Sequence, residues 1–245
     1  MPNIAFPKFD ASNLLAGIRG VVFPAACALC SRRLEAGLAY VCLRCRADLS
    51  LLDYHTLPEN AMTDKFWGRL PVLRAAALLP YIEDSPAVRI MQLLKYDNRP
   101  GIGLQLGRWL GELLAASSVF GEVDFVLPVP LHPDKFRLRG YNQAERVAAG
   151  ISERLPDAIC LPKAVVRKRY TETQTRMSKF ERMVNVDEVF QLSPKQDPKQ
   201  LNGAHLLLVD DVMTTGATLE ALGKAVLVEA KPASLKVATL ALAIR

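Results

Sequence analysis

No stretch of the 245-residue chain approaches the ~18 consecutive apolar residues of a membrane-spanning helix, so bilayer insertion is not expected. The N-terminus lacks a basic segment leading into an unbroken apolar core, which argues against a secretory leader. Val22-Phe-Pro-Ala-Ala-Cys27 has the outline of a lipoprotein cleavage site, but Pro24 stands where leucine is usual, and that reading is rejected. A cytoplasmic location is expected, where thiols stay reduced. Cysteine is scarce: of five, four fall in two pairs, and Cys160 stands alone and is expected as a small buried hydrophobe. Charge is barely one-sided, with 31 Lys and Arg against 25 Asp and Glu, a net +6 and a pI near 9.1. That balance suits phosphorylated ligands or nucleic acid and selects neither.

Half of the residues are hydrophobic, enough for a substantial core. The length accommodates one mid-sized domain and a small module. The most informative stretch begins at Leu206. Leu206 to Val209 form a short apolar run, the mark of a strand buried on both faces of a parallel sheet. After Thr218 the period changes, and Leu219, Leu222 and Val226 share one face of a helix. Between them lie Asp210 and Asp211, then Thr214-Thr215-Gly216-Ala217-Thr218. Backbone N–H groups at a helix start bind phosphate, Gly216 lets the backbone approach an anion, and threonine hydroxyls add donors. Two carboxylates repel a bare phosphate; they suit the donating hydroxyls of a ribose, or a metal ion. Phosphate, sugar diol and Mg²⁺ together describe a phosphoribosyl group. The competing reading is an Asp-Asp turn in which one carboxylate caps the helix.

Cys27-Ala-Leu-Cys30 and Cys42-Leu-Arg-Cys45 form the second signal. Two such pairs place four thiolates for tetrahedral structural zinc; disulfides compete only in an oxidising compartment. The spacing predicts a short helix over Ser12 to Val22 before this module. Residues 46–70 show no clear periodicity and are expected to hold a linker with a short helix. Val72 to Ile82 reads as strand, Pro86 opens a helix through Leu94-Lys95-Tyr96, and another helix spans Ile102 to Ala116. Phe125 to Leu131 is a strand running into a proline-fixed loop with Lys135, Arg137 and Arg139. A helix from Asn142 to Leu155 follows, carrying Ala144, Val147, Ala148 and Ile151 inward. The basic loop reads either as a solvated turn or as the cationic side of a phosphate site. Val165 and Val166 suggest a short strand. Arg167 to Arg182 is basic and hydroxyl-rich, without glycine or a strong apolar face, so it reads as a mobile lid or an exposed basic strip. Gln191 to Asn202 is expected as loop, and Leu235 to Ala243 as a last strand. Alternating strands and helices argue for an α/β fold with a parallel sheet.

Val209-Asp-Asp-Val-Met-Thr-Thr-Gly-Ala-Thr218 resembles the signature with which type I phosphoribosyltransferases bind phosphoribosyl pyrophosphate (PRPP). With the two cysteine pairs, Leu94-Lys-Tyr96, Val129-Pro-Leu131, Arg139-Gly-Tyr-Asn-Gln-Ala144, Gln174, Arg182 and Asn185, the chain resembles the ComF family of competence-associated proteins. That resemblance implies a zinc module over 1–55, a linker over 56–70 and a type I phosphoribosyltransferase-like domain over 71–245. It implies that Cys27, Cys30, Cys42 and Cys45 hold zinc. It further implies that Asp210 and Asp211 contact the ribose hydroxyls. Thr214, Thr215, Gly216, Ala217 and Thr218 would then cradle the 5′-phosphate, and the Leu131 to Arg139 loop, with Arg139 as a catalytic cation, would face the pyrophosphate. The Arg167 to Arg182 stretch corresponds to the family's flexible loop. Two positions depart from the family pattern: Ser31 where glycine is common, and Lys231-Pro232 where Gly-Ala is frequent.

Two functions fit. One is a Mg²⁺-dependent transferase with PRPP as donor and a nucleophilic acceptor. The other is a non-catalytic module of DNA uptake or recombination that binds PRPP, single-stranded DNA or a helicase-type competence protein. No dedicated general base is evident, as expected if leaving-group activation carries the rate.

Overall fold

The computed structural model describes residues 26–35, 40–96, 99–168 and 189–244. The chain divides into two units, Met1–Asp48 and Leu49–Arg245. The expected helix over Ser12 to Val22, and all of the Arg167 to Arg182 segment except Arg167 and Lys168, lie outside the described residues. In the first unit one short helix is described, α1 (Leu43–Ala47), with Cys42 as its N-cap. Among the described residues, no helix is long and apolar enough to cross a membrane.

The second unit opens with a 3₁₀ turn at Tyr54–Thr56 and helix α2 (Ala61–Asp64). Asn60 caps α2 through a reciprocal pair with Thr63. Residues 56–70, expected as a linker with a short helix, hold that helix and bury Met62, Phe66 and Leu70 in the core. Next come β1 (Val72–Tyr81), α3 (Pro86–Tyr96), α4 (Pro100–Ala116), β2 (Phe125–Pro128), α5 (Pro133–Arg139) and α6 (Gln143–Ser152). After them follow β3 (Ile159–Cys160), β4 (Val165–Arg167), β5 (Phe190–Leu192), β6 (His205–Met213), α7 (Ala217–Glu229) and β7 (Ser234–Ala243). Five strands form a parallel sheet in the order β1-β7-β6-β2-β3, and β4 pairs antiparallel with β5.

Leu206 to Val209 are wholly buried, as the apolar run requires. Leu206 and Leu208 point into the core shared with Leu219 and Leu222 of α7. By strand alternation Leu207 and Val209 face the other side. From β2 the chain leaves through α6 toward β3 at one edge. From β6 it leaves through α7 toward β7 in the opposite direction. The β2–β6 boundary is therefore the point where the connections diverge, and a crevice opens at the carboxyl ends of those strands.

Four local readings differ from the sequence expectation. Gln191 to Asn202, expected as loop, opens on the end of β5, held by pairing with Val165 and Val166, and carries a 3₁₀ turn at Pro198–Leu201 capped by Asp197. β6 continues to Met213, so Asp210 and Asp211 belong to the strand, held there by pairing with Thr239 to Leu242 of β7. The segment bearing Lys135, Arg137 and Arg139 is a helix rather than a loop. His132 caps it, Pro133 starts it and Gly140 ends it with φ 75°; proline at a helix start and glycine just past its end were the available signals. Two-residue β3 carries too little pattern to stand out, although Ile159 and Cys160 pair with Phe125 and Val126.

Helices α4 and α6 pack backbone to backbone. A Cβ at Gly107 would lie 2.3 Å from the Val147 carbonyl oxygen, and one at Gly150 would lie 2.2 Å from that of Leu104. Neither neighbour is a side chain that could swing aside. Gly107→Ala is therefore expected to force the helices apart at a cost of ~1–3 kcal/mol, lowering Tm by roughly 2–12 °C. Calorimetry on the two proteins checks this; an unchanged Tm would show that the contact is slack.

Candidate functional site

β6 pairs with β2 up to Val209, which faces Pro128 and accepts a hydrogen bond from the Val129 N–H at 2.8 Å. The next rung would join the Asp211 N–H to the Val129 carbonyl, but that N–H donates to Asp210 Oδ1 and that carbonyl accepts from Asn142 Nδ2, so beyond Val209 the described pairing of β6 is with β7. The next two residues of β6 are Asp210 and Asp211. They border a cavity of about 380 Å³, the crevice between the diverging connections.

The acidic pair is held tightly. The Asp211 N–H donates to Asp210 Oδ1 at 2.8 Å, and the Val212 N–H to Asp211 Oδ1 at 2.8 Å. Lys95, at the end of α3, reaches Asp211 Oδ2 at 3.2 Å. Burial, and next the charge of Asp211, push the Asp210 carboxyl up to about 8. Facing the pair are four cations from three elements: Lys95 of α3, Lys135 and Arg139 of α5, and Arg167 of β4. Arg139 donates to Gln143 Oε1 at 3.0 Å and lies 5.8 Å from the Tyr96 ring centroid. Its Nε is buried with no hydrogen-bond partner among the described residues. Arg167 donates to the Pro130 carbonyl at 2.9 Å, over the Phe190 ring. Asn142 caps α6 through Oδ1 and donates from Nδ2 to the Val129 carbonyl at 3.0 Å, tying helix to loop.

Thr214 and Thr218 line the cavity. Thr215, Gly216 and Ala217 complete the loop around them without lining it. Gly216 is the N-cap of α7 with φ 82°, a left-handed conformation that side chains resist. Asp210, Asp211, Arg139, Thr214 and Thr218 thus meet at one cavity. Arg137 does not; it pairs with Asp134 at 2.9 Å on the exposed side of α5. Lys95 was visible as part of Leu94-Lys-Tyr96, yet only the fold shows that the end of α3 comes to Asp211.

In the first unit the Sγ atoms of Cys27, Cys30, Cys42 and Cys45 all lie within 4.8 Å of one another. Cys30 and Cys42 Sγ are 3.7 Å apart, too far for a disulfide. Thiolates at ≈ 2.3 Å from a shared zinc stand about 3.8 Å apart in a tetrahedron, so the spacing fits that ion. Burial raises the Cys27 thiol, but backbone N–H groups, led by Cys42's, outweigh it and bring it down to about 6. Burial and the neighbouring thiols push Cys45 far upward. The cluster could hold zinc.

Residues 141–244 match the phosphoribosyl transferase domain family. Competence protein F of Haemophilus influenzae is 31% identical over 147 residues, covering 59% of this chain and 62% of that protein. DNA utilization protein YhgH of Escherichia coli K12 is 30% identical over 210 residues, covering 80% of this chain and 88% of that protein. Its counterpart in Salmonella typhimurium is 29% identical over 208 residues. The chain belongs to the ComF family. Its two departures from the ComF pattern now have structural settings. Ser31 has φ 61°, the left-handed conformation that glycine adopts most easily. Lys231 donates its N–H to Asn202 and accepts from Gly203, just before the amino end of β7, so it lies across the sheet from the cavity.

A carboxyl raised from 3.8 to about 8 keeps its proton in the fold where the unfolded chain has lost it. Its contribution to stability is complete below about 3.8 and declines as pH rises through about 8. Asp210→Asn, which cannot ionise, is expected to gain Tm relative to wild type as pH is raised from about 6 to about 8. Paired thermal scans across that interval measure the difference; a constant difference would show Asp210 ionised throughout.

Proposed function

We propose that this ComF-family chain binds PRPP in the β2–β6 crevice and uses it as a phosphoribosyl donor in a setting of DNA uptake or use. The observation that carries the reading is the meeting, at one cavity, of Asp210 and Asp211 with four cations and with Thr214 and Thr218, the two ends of the threonine loop. The carboxylates suit the ribose 2- and 3-hydroxyls, which donate to them, with Lys95 giving up its hold on Asp211. The loop suits the 5′-phosphate. Lys95, Lys135, Arg139 and Arg167 suit the diphosphate, and the unpartnered Nε of Arg139 leaves a donor to spare. In transfer, the bond from the anomeric carbon to the diphosphate oxygen breaks, its electron pair leaves with diphosphate, and an acceptor nucleophile bonds to that carbon with inversion. These cations stabilise the departing charge. Asp210 and Asp211 also supply the hard oxygen donors that Mg²⁺ prefers, and Mg²⁺ carried on the diphosphate would add neutralisation there.

A binding role in DNA uptake is supported separately. The relatives' names speak of competence and DNA utilization, and α5 exposes Lys135, Phe136, Arg137 and Leu138 in succession, cations interleaved with apolar side chains. PRPP-dependent pyrophosphate release, screened against nucleobases, nucleosides and single-stranded DNA, separates the two: a transferase must show it with an acceptor, a binder need not.

Losing one charged acceptor costs ~1.5–3 kcal/mol, so Asp211→Asn is expected to weaken Mg²⁺-PRPP binding roughly tenfold to a hundredfold. Titration calorimetry checks this, and unchanged affinity would place the diol elsewhere. The cysteine cluster is proposed to hold structural zinc. Elemental analysis should find about one zinc per chain, lost together with Cys42→Ser; a zinc-free folded protein with four titratable thiols would refute the assignment.

A further inference from the structure

The turn that follows α2 grips the threonine loop at three consecutive residues, from about 150 positions earlier in sequence. Lys65 Nζ donates to the Thr214 carbonyl at 2.9 Å. The Arg69 guanidinium donates to the Thr215 carbonyl at 3.3 Å and pairs with Glu220, in the first turn of α7, at 2.8 Å. Between them in sequence, the Phe66 ring stands 3.0 Å from where a Cβ of Gly216 would be, closing the space behind the loop. Phe66 is itself fully buried, so this turn is fastened to the core and cannot drift with the loop.

A planar trans peptide points its carbonyl and the N–H of the following residue in opposite directions. A cation fixing the Thr214 carbonyl therefore also fixes the N–H of Thr215, and one fixing the Thr215 carbonyl fixes the N–H of Gly216. Both N–H groups are turned away from the 65–69 turn. Each bond to a cation also polarises its peptide and makes that N–H a stronger donor.

We infer that Lys65 and Arg69 are positioning residues for the phosphate loop: they hold two successive peptides so that the Thr215 and Gly216 N–H groups present a ready anion cradle. The inference rests on the PRPP reading above. The two residues touch no ligand; they act through the carbonyls of Thr214 and Thr215. Both are cations, yet they spend their charge on the back of the loop, while Lys95, Lys135, Arg139 and Arg167 line the cavity. Removing them is expected to weaken recognition of one end of the ligand and spare the other.

Two probes separate the ends. Ribose 5-phosphate reports on the loop, and inorganic pyrophosphate reports on the cationic wall. With the full chain, the Lys65→Ala/Arg69→Ala double variant is expected to bind ribose 5-phosphate roughly tenfold or more weakly, the size of one lost charge-assisted hydrogen bond or greater. Its pyrophosphate affinity should remain within about twofold. The conservative Lys65→Arg and Arg69→Lys variants, which keep a donor at each carbonyl, should recover most of the loss. Equal weakening toward both probes, or unchanged ribose 5-phosphate affinity, overturns the inference while leaving the PRPP reading in place. A wild-type chain that binds pyrophosphate but not ribose 5-phosphate removes the loop from the PRPP reading itself, and the inference falls with it.

Discussion

The site depends on one interrupted ladder. As long as β2 and β6 remain paired, the centre of the sheet is filled by leucine and valine and offers nothing to a polar ligand. The pairing ends at the two aspartates, where Asn142 takes the Val129 carbonyl and the Asp211 N–H turns to Asp210 Oδ1. β7 keeps β6 extended through those aspartates, so the strand does not fray once its other neighbour has gone. One edge freed and one edge held is what leaves two carboxylates at a fixed place beside open space. Because the helices after β2 and β6 run to opposite sides, neither covers the gap.

Charge then accumulates around the opening in an order that local geometry explains. Two carboxylates on adjacent residues repel, and the fold answers in two ways: Asp210 accepts the Asp211 N–H and favours its protonated form, while Asp211 takes Lys95 as a counter-ion. The other cations come from α5 and from β4, where the Arg167 guanidinium stacks on Phe190 and is anchored at the Pro130 carbonyl. Elements distant in sequence thus deliver one or two charged residues each to one rim, which suits a ligand carrying both a diol and several phosphate oxygens.

Much of this was legible in the sequence, for physical reasons. The run Leu206 to Val209 suits a strand buried on both faces, and the acidic pair followed by Thr-Thr-Gly marked its end as a polar turn. The cysteine spacing carried the thiol cluster unaided. What escaped was set by tertiary context. The extension of β6 through Asp210 to Met213 is imposed by β7, since aspartate alone disfavours strand. The seven-residue helix at Pro133 was hidden behind its basic composition, although Pro133 and Gly140 punctuate it. Lys65 and Arg69 lie in a stretch without periodicity, and nothing local says that two cations there reach a loop near residue 215. Ser31 is the reverse case: the family pattern singled it out, and the left-handed backbone supplies the reason.

The glycine contact between α4 and α6 carries a last implication. Side chains can be traded for larger or smaller ones, but the radii of main-chain atoms are constants of chemistry. With Gly107 and Gly150 each laid against the other helix's carbonyl, the separation of the two axes is set by those constants. α6 passes this dimension on through Asn142, which is bonded to the carbonyl of Val129 at the mouth of the crevice. The aperture is gauged against a standard that drift elsewhere in the core cannot recalibrate, so related chains that keep the two glycines should share its width even where the residues lining it have diverged.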